Sequence, residues 1–395
     1  MARSRQRFRT AIIDDTLPPN FTLLQVLPAL DGGGVEQAAL DLARCAADAG
    51  ARSLIACRGG ALEDRLPKIG AELVRLPLAA KDPLSIAANG VRLARLIRRQ
   101  RVSLVHVRSR APAFSALIAA RITGAPLAAT YHGAYRAGWF GKRWVNRIMT
   151  AGDIVFANSE FIAGHIAAEH PRAAAKIVLA REGVDLKRFD VAAVGAGRVE
   201  ALGRSWGAEA RKTVLIAARL SPTKGQQLAL AALARMTATQ RPLLVLAGMA
   251  ADARHRARLE TLAGELDVAD QVRFVGALTD MPAAYLAADI IAAPSTVPES
   301  FGRAVVEAAA MGRPAIASDL GALAETIVDG ETGWLVRSCE AQAWAGALEA
   351  ALAAPATSLA AMGKAARDRA RRLYPLEGLC AATFAAYRRL VDRRG

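Results

Sequence analysis

The stretch LLQVLPALDGGGVEQAALDLARCAADAG, residues 23–50, runs from an apolar strand pattern through three glycines into a helix pattern. Short apolar runs alternate with Ala-rich helical stretches along the rest of the chain, which is typical of βα units and a parallel sheet. Glycines at such a turn let backbone N–H groups approach an anion, and the helix dipole favours negative charge there. The turn has neither a G-x-G-x-x-G fingerprint nor a P-loop, so a tight turn without a ligand stays an alternative.

Two series of predicted strands indicate two domains. The first series comprises residues 22–27, 53–56, 73–76, 104–107, 127–130 and 154–157, and the second comprises residues 213–217, 243–247, 272–275, 290–293, 315–317 and 334–336. The length of 395 residues also exceeds the ~250–300 residues at which one hydrophobic core stops growing. We therefore predict an α/β protein with two Rossmann-like domains that face a central cleft.

The predicted domain boundaries follow these two series. The first domain spans residues 21–190 after a basic tail at residues 1–20, and the second domain spans residues 213–375. Residues 191–212 lack strand character and gain glycine and charge, which suits a linker. Apolar residues recur at helical spacing after Pro375, so we predict a C-terminal helix at residues 376–395.

Positive charge is concentrated in the first half of the chain. The formal net charge is +16, and residues 1–190 carry 28 Lys and Arg against 16 Asp and Glu. No acidic residue lies between Asp82 and Asp153. Such an excess favours an acidic partner, for which nucleic acid, anionic lipid and a phosphorylated acceptor are all candidates.

Cysteine spacing and hydropathy narrow the class of protein. Cys45, Cys57, Cys339 and Cys380 form no C-x-x-C pair, so we expect core thiols in a reducing compartment and neither a disulfide framework nor a zinc site. No apolar segment of a signal peptide follows the N-terminal arginines, and no run of about eighteen apolar residues predicts a membrane span. The expected location is the cytoplasm or the inner face of a membrane.

Two cations follow the first strand of the second series in AARLSPTKGQQLAL, residues 217–230. Arg219 and Lys224 lie five positions apart around a Ser-Pro turn. Ligands of open α/β sheets bind at the carboxyl ends of the strands, where both cations could bind phosphate oxygens. Unremarkable surface charge is the alternative.

Two carboxylates lie eight positions apart in PSTVPESFGRAVVEAAAMGRPAIASDLGALAETI, residues 294–327. Glu299 and Glu307 flank the start of a helix predicted from Phe301 to Met311, with Ser300 as its N-cap. A helical rise of about 1.5 Å per residue separates them by about 12 Å. This roughly matches the span from a sugar to a ribose across a diphosphate, and carboxylates accept paired hydrogen bonds from vicinal hydroxyls.

Together the motifs resemble those of glycosyltransferase family four, whose members are retaining enzymes of the GT-B fold. The resemblance rests on E-x₇-E, on RLSPTKG at 219–225, FVG at 274–276, FANSEFIAGHI at 156–166 and EGVDLKRF at 182–189, and covers roughly residues 21–392. It implies transfer of a sugar from a UDP-, GDP- or ADP-sugar to a glycan or lipid-linked acceptor. Cell-envelope polysaccharide or lipopolysaccharide synthesis is the implied context.

The resemblance assigns roles within the second domain. Arg219 and Lys224 would bind the donor diphosphate, Glu307 the ribose hydroxyls and Glu299 the transferred sugar. Phe301 and Gly302 would offer backbone amides beside the sugar.

The resemblance also assigns residues of the first domain. Gly33 and Gly34 would approach the phosphate from the opposite side, and His132 in TYHGAY matches the family's histidine near the sugar. A structural role at a strand end is the alternative for His132. The predicted catalytic set is therefore Glu299, His132, Arg219 and Lys224.

Two departures from the family pattern affect the site. Ala218 stands where the family commonly has Gly, and G-A-L-A-E stands at 321–325 where it commonly has G-G-x-P-E, so Glu325 is left without a role. No D-x-D sequence is placed to hold Mg²⁺, and basic side chains already occupy that position. We therefore predict no metal and no cofactor.

Two other classes of protein compete with this interpretation. A nucleotide-sugar epimerase of the same architecture would bind the same donor, although the ordered motifs favour a transferase. A basic nucleic-acid-binding protein would explain the charge, but no recognition motif of that class occurs, so no nucleic-acid partner is predicted. His106, His165, His170 and His255 occur singly and are expected to be structural.

Basic and aromatic residues mix in two segments of the first domain. RLARLIRRQR spans residues 92–101 and YRAGWFGKRWVNRIM spans residues 135–149, which contains Trp139, Phe140 and Trp144. Interfacial helices use this mixture, so an anionic membrane surface is a predicted partner. The alternative is that these aromatic residues line the acceptor site and that the arginines form a solvated face.

Overall fold

The computed structural model describes residues 16–135, 142, 145–209, 211–250 and 252–393. The chain divides into two compact units of α/β structure. The first unit extends to Glu182 and also contains the end of the chain from Glu377, and the second unit is Gly183–Leu376. The chain therefore crosses between the units twice.

The first unit contains a seven-stranded parallel sheet in the order β3-β2-β1-β4-β5-β6-β7. Its strands are β1 (Thr22–Val26), β2 (Arg52–Cys57), β3 (Ala71–Arg75), β4 (Leu104–Val107), β5 (Leu127–Tyr131), β6 (Ile154–Ala157) and β7 (Ile177–Leu179). Its helices are α1 (Gly34–Asp48), α2 (Pro83–Arg99), α3 (Arg110–Thr123), α4 (Glu160–Glu169) and, at the end of the chain, α13 (Leu376–Asp392). Strands β1 and β4 are buried along their whole length, as expected for a parallel sheet covered on both faces.

The second unit contains a six-stranded parallel sheet in the order β10-β9-β8-β11-β12-β13. Its strands are β8 (Thr213–Ala217), β9 (Leu243–Ala247), β10 (Val272–Gly276), β11 (Ile290–Ala293), β12 (Ala315–Ser318) and β13 (Gly333–Val336). Its helices are α5 (Ala196–Trp206), α6 (Gln226–Arg235), α7 (Ala253–Glu265), α8 (Met281–Ala287), α9 (Arg303–Ala310), α10 (Leu323–Thr326), α11 (Ala341–Ala353) and α12 (Ala356–Leu373).

Both sheets have a topological switch point beside their first strand. The strand order reverses between β1 and β4 in the first unit and between β8 and β11 in the second. Open α/β sheets bind ligands outside the carboxyl ends of the strands at such a point. The residues that follow β1, β4, β8 and β11 are therefore the first candidates for a binding site.

The strands of both predicted series form, and the first unit has one strand more. Strand β7 was not predicted because Ile177–Leu179 is a three-residue run on the half-exposed edge of the sheet. The predicted linker at 191–212 is wrong, because it contains helix α5. Trp206 at the end of that helix is 2% exposed and lies in the core of the second unit. The first boundary falls at 182–183, and the predicted tail lies largely outside the described residues.

The C-terminal helix forms as predicted but packs in the first unit. The ring of Tyr387 stacks with Phe21 at a centroid distance of 6.1 Å and meets Phe156 edge-on at 5.8 Å. Its hydroxyl is hydrogen-bonded to Nδ1 of His106 on β4. Helix α13 is therefore part of the first unit's core.

The expectation that the cysteines carry no disulfide is wrong for one pair. Cys45 on α1 and Cys380 on α13 are disulfide-bonded, with their Cα atoms 6.3 Å apart, whereas Cys57 and Cys339 are free. The pairing joins positions 335 residues apart, and it depends on the return of α13 to the first unit, which the spacing of cysteines does not show.

Within the described residues, no single helix has the length and hydropathy needed to cross a bilayer. Helices α11 and α12 meet that test only as a pair, with a bend of 105° between them.

Candidate active site

Lys224 and Glu299 form an ion pair at the carboxyl edge of the second unit's sheet. Nζ of Lys224 lies 2.5 Å from Oε1 of Glu299, and the two side chains are 28% and 17% exposed. The hydroxyl of Ser295 donates a second hydrogen bond to the same carboxylate oxygen at 2.5 Å. Lys224 follows β8 and Glu299 follows β11, so the switch point brings together two residues that the sequence analysis selected separately.

Gly225 allows the loops after β8 and β11 to approach closely. Its φ is +71°, and a Cβ atom there would lie 1.7 Å from the carbonyl oxygen of Pro294. The amide of Thr296 donates to the carbonyl of Thr223 at 3.0 Å. Glycine is therefore required beside Lys224 both by backbone conformation and by the neighbouring loop.

Arg219 lies in the same loop as Lys224, with an exposed side chain. Its carbonyl accepts a hydrogen bond of 3.0 Å from the side chain of buried Gln226, which anchors the backbone while leaving the guanidinium in solvent. The structure thus places both predicted cations after β8, but only Lys224 contacts Glu299. The assignment of Arg219 to the diphosphate stays a prediction.

Helix α9 begins later than predicted. It spans Arg303–Ala310, and its N-cap is Gly302 with φ +94°, so the prediction of Ser300 as N-cap is wrong. Phe301 is 3% exposed and meets Tyr374 edge-on, and the left-handed backbone of Gly302 separates it from the helix. The first turn of a helix presents N–H groups that lack intrahelical partners, so backbone donors start beside Gly302.

Glu307 is buried on α9 and points to Tyr285 on α8. The Tyr285 hydroxyl donates to Oε2 of Glu307 at 2.7 Å, and Nη1 of Arg303 lies 3.8 Å from Oε1. Burial, followed by the Glu307 charge, raises the pKa of Tyr285 well above its usual range, so that hydroxyl stays protonated as a donor. Glu307 therefore enters any ligand complex with one oxygen already hydrogen-bonded.

The G-A-L-A-E turn supports the backbone of Glu299. Gly321 pairs with Glu299 in a parallel bridge, and the amide of Ala322 donates to the Glu299 carbonyl at 2.9 Å. Gly321 has φ +67°, and a Cβ atom would lie 2.5 Å from that carbonyl oxygen. This glycine, common to the family pattern and this chain, is the one that positions Glu299.

In the first unit, the predicted glycines lie at the switch point. Gly33 is the N-cap of α1 and Gly34 is the first residue of that helix, directly after the β1 loop. Because Gly33 has no side chain, it provides no side-chain hydrogen bond to the first N–H groups of the helix. The position suits an anion, and the assignment of these two glycines to a donor phosphate stays a prediction.

His132 follows β5 and lines a small polar cavity in the first unit. The cavity has a volume of about 20 Å³ and is lined by Ala38, Leu42, His106, Arg108, Thr130, His132, Phe156, Asn158, Ala180, Glu182, Leu379 and Thr383. Its polar lining comes from the carboxyl ends of β4, β5 and β6 and from Glu182, the last residue of the unit's first chain segment.

Arg108 and Glu182 are buried charges of this cavity, and neither had a predicted role, although Glu182 opens the EGVDLKRF motif. Arg108 is 4% exposed and donates from Nε and Nη2 to Oε1 of Gln25, at 2.9 and 2.6 Å. Asn158 donates from Nδ2 to Oε2 of Glu182 at 3.1 Å. Gln25 is a polar residue within a buried strand, and Arg108 directly follows one. Polar residues at such positions are the signal that could have identified both.

His106 is hydrogen-bonded through both of its ring nitrogens, and the structural role expected for it stays a prediction. Its Nε2 lies 2.7 Å from the hydroxyl of Thr130, and its Nδ1 is bonded to Tyr387. Burial, followed by the charge of Arg108, lowers the pKa of His106 well below its usual range, so the ring is neutral. One ring nitrogen therefore donates and the other accepts.

Within the described residues, no group of three or more His, Cys, Asp and Glu side chains forms a candidate metal site. The prediction that the reaction needs no metal stays a prediction.

The fold and the site define a class of protein. Two Rossmann-like units, of which the second carries a lysine and a glutamate at its switch point, are the features of a GT-B glycosyltransferase. The family model described as Glycosyltransferase Family 4 matches residues 32–188, and the model described as Glycosyl transferases group 1 matches residues 201–369. The chain belongs to glycosyltransferase family four.

Relatives and solved structures agree with this assignment. The chain is similar to the D-inositol 3-phosphate glycosyltransferase of Segniliparus rotundus, with 31% identity over 246 residues, which are 61% of this chain and 53% of the relative. It thus spans about half the length of the curated relatives that it matches. A glycosyltransferase structure from Rickettsia africae has 27% identity and a TM-score of 0.84, over 95% of this chain and 100% of that one.

A further solved structure supports the fold alone. HepE from Anabaena, crystallised in complex with UDP-glucose, has 21% identity and a TM-score of 0.82, over 95% of this chain and 99% of that one.

Proposed function

We propose that the protein is a retaining glycosyltransferase that moves a sugar from a nucleotide-diphosphate sugar to a hydroxyl group of an acceptor. The observation that carries the proposal is the contact between Lys224 and Glu299 at the carboxyl edge of the second sheet. It places a cation suited to a diphosphate beside a carboxylate suited to sugar hydroxyls. Glu307 lies on the helix that starts after this carboxylate.

The relatives support a nucleotide-sugar donor. HepE from Anabaena binds UDP-glucose, and the Segniliparus relative is named for glycosyl transfer to D-inositol 3-phosphate. We extend the donor class to this chain and leave its base and sugar open among UDP-, GDP- and ADP-sugars.

The proposed chemistry requires stabilisation of a leaving group. The bond between the anomeric carbon and the diphosphate breaks, and negative charge collects on the diphosphate. Lys224 and Arg219 would neutralise that charge, and loss of one such preorganised donor costs about 2.7–4 kcal/mol at the transition state. The donor phosphate would help to deprotonate the acceptor on the same face, which retains the anomeric configuration.

Donor binding would reorganise the ion pair. Lys224 and Glu299 hold each other in the ligand-free protein, and both side chains are mostly buried. A donor that offers a diphosphate to Lys224 and sugar hydroxyls to Glu299 replaces one contact with two, so neither buried charge is left unpaired. This exchange would favour the intact donor over a nucleoside monophosphate.

We further propose that the first unit binds the acceptor and attaches peripherally to an anionic membrane. The exposed face of α2 combines Leu84, 84% exposed, and Val91, 41% exposed, with the exposed arginines Arg92, Arg95, Arg98 and Arg99. Each basic side chain near an anionic surface contributes on the order of 1 kcal/mol, so several together give reversible attachment that salt weakens. A lipid-linked glycan of the cell envelope is the acceptor that this location favours.

The proposed aromatic contribution to that surface falls largely outside the described residues. Trp139, Phe140 and Trp144 belong to that part, whereas Arg147 lies in a short 3₁₀ helix at Arg147–Thr150. The membrane proposal therefore rests on α2.

Incubation of the protein with each nucleotide sugar in the absence of acceptor tests the proposed reaction. A retaining transferase leaves the donor intact or releases its sugar slowly, with the released anomer matching that of the donor by proton NMR. Conversion of the donor into a nucleotide sugar of different configuration would identify an epimerase instead.

A further inference from the structure

The cavity of the first unit is lined by a residue with a buried polar atom that lacks a partner, and by an arginine that leaves one nitrogen outside its hydrogen bonds. Oδ1 of Asn158 is buried and accepts no hydrogen bond, and the residue is 3% exposed. Arg108 uses Nε and Nη2 for Gln25, and its remaining nitrogen, Nη1, has no partner in the described part of the chain. Both residues line the same cavity.

Unpartnered buried polar atoms are costly, because each loses its hydrogen bonds to water. The cavity therefore offers a bound group the buried acceptor of Asn158, beside the remaining nitrogen of Arg108 as a donor.

The chemistry of the two atoms specifies that group. It has to accept a hydrogen bond from a guanidinium and donate one to an amide oxygen. A hydroxyl does both, whereas a phosphate or a carboxylate accepts only. The carboxylate of Glu182 lines the same cavity and would repel an anion, while it balances the charge of Arg108 for a neutral group.

The size of the cavity fits one small group. Its volume of about 20 Å³ matches the space that a single water molecule needs. The oxygen of a hydroxyl occupies the same space.

We propose that Arg108 and Asn158 form an acceptor-specificity site of the first unit, which binds one uncharged hydroxyl of a sugar or polyol. The inference rests on the proposed function and deepens it. The part of the acceptor that enters this cavity is neutral, even when another part of the same molecule carries a phosphate. Glu182 excludes the charged group, and the hydrogen bond from Asn158 to Glu182 keeps Oδ1 directed away from that carboxylate.

Saturation-transfer NMR with myo-inositol as the probe tests the site in the full-length protein. We expect myo-inositol to bind to the wild type, and inorganic phosphate at equal concentration not to displace it. Asn158→Leu removes the acceptor atom at nearly constant size and should weaken binding at least tenfold. Arg108→Lys keeps the charge but cannot hold Gln25 and reach the cavity together, so it should weaken binding similarly.

Ser53→Ala is the matched control. Ser53 lies on β2 of the same unit, is 1% exposed and also has a buried hydroxyl without a partner, but it does not line the cavity. Its removal should leave myo-inositol binding unchanged. If either cavity variant fails to fold by circular dichroism, the comparison of myo-inositol with phosphate in the wild type still decides the proposal.

Three results would overturn the inference. The first is the absence of myo-inositol binding to the wild type, and the second is displacement of bound myo-inositol by phosphate. The third is unchanged myo-inositol binding in both cavity variants, which would show that water alone fills the cavity. A parallel titration with UDP-, GDP- and ADP-glucose separates this failure from that of the proposed function. Nucleotide binding without polyol binding removes only the acceptor site, whereas polyol binding without nucleotide binding removes the donor assignment.

Discussion

At the scale of single residues, Glu299 and Glu307 occupy different environments although they are eight positions apart. Glu299 is partly exposed and shares one oxygen between Lys224 and Ser295, whereas Glu307 is buried beneath the Tyr285 hydroxyl. Glu307, with one oxygen already hydrogen-bonded, is suited to bind the donor. Glu299 can exchange its contact with Lys224 for a contact with the ligand, so it is suited to interactions that change during turnover.

The two carboxylates should therefore respond differently to substitution. Glu307→Ala should weaken binding of the nucleoside diphosphate about tenfold or more, because it removes hydrogen bonds of roughly 1.5–3 kcal/mol to a charged group. Glu299→Ala should lower kcat and leave nucleoside diphosphate binding within about threefold. Calorimetric titration of the diphosphate into both variants measures the difference. An unchanged Kd in Glu307→Ala would remove the ribose assignment.

Residues at strand ends show how far the sequence predicts the site. Lys224 and Glu299 were selected because a cation after the first strand and a spaced pair of carboxylates are local patterns. Arg108, Asn158 and Glu182 were not grouped, although two of them lie in the quoted motifs FANSEFIAGHI and EGVDLKRF, because only the sheet order brings their distant segments to one cavity. Such a cluster is a product of topology, and periodicity does not report it.

Among the helices and strands, apolar runs that end at Gly, Pro or polar residues predicted the strands well. The reason is that parallel strands buried on both faces consist of nearly continuous apolar residues. Boundaries that depend on tertiary packing were not predictable. Helix α9 begins at Arg303 because Gly302 adopts a left-handed conformation with φ +94°. The segment predicted as a linker forms α5, whose Trp206 packs into the core of the second unit.

The turn at Gly321 should be sensitive to a single methyl group. In Gly321→Ala the new Cβ would lie 2.5 Å from the Glu299 carbonyl oxygen, at a residue with positive φ. Gly330→Ala is the matched control, because Gly330 also has a positive φ of +75° but no atom within 4 Å of an added Cβ. Both should lose about 1 kcal/mol of stability from conformation, and Gly321→Ala should lose a further ~1–3 kcal/mol and much of its turnover. Chemical denaturation compares them. Equal stability and turnover of the two variants would contradict the role given to this turn.

The disulfide between α1 and α13 should stabilise the first unit. Cys380→Ser removes a cross-link between positions 335 residues apart, and we expect a loss of about 2–4 kcal/mol in the free energy of unfolding. Cys339→Ser changes an exposed free cysteine and is the matched control. Denaturation under non-reducing conditions measures the loss. Mass spectrometry of a non-reduced proteolytic digest, in which the peptides of Cys45 and Cys380 stay joined, checks the bond. Identical unfolding of the two variants would show that the pair is not cross-linked.

At the scale of the whole molecule, charge is divided unevenly between the two units, and membrane binding should follow that division. Arg98→Ser/Arg99→Ser/Arg101→Ser should weaken affinity for anionic vesicles at low salt by up to about a hundredfold in co-sedimentation, because about 1 kcal/mol is lost for each engaged arginine. Arg254→Ser/Arg258→Ser/Arg372→Ser changes the same charge on exposed helix positions of the second unit and should not. Equal recovery of both variants, or equal recovery on neutral vesicles, would leave the membrane proposal without support.

We propose that the second unit binds a nucleotide-diphosphate sugar through basic side chains and without a metal. A thermal-shift panel of UDP-, GDP- and ADP-sugars in excess EDTA tests it most directly, with Lys224→Met as the comparison variant. Ligand at a hundred times its Kd stabilises the bound state by about 2.7 kcal/mol, which corresponds to a rise in Tm of roughly 5–10 °C for a unit of this size. We expect that rise with one nucleotide class in the wild type and its loss in Lys224→Met. A rise that appears only after Mg²⁺ or Mn²⁺ is added, or that Lys224→Met retains in full, would contradict it.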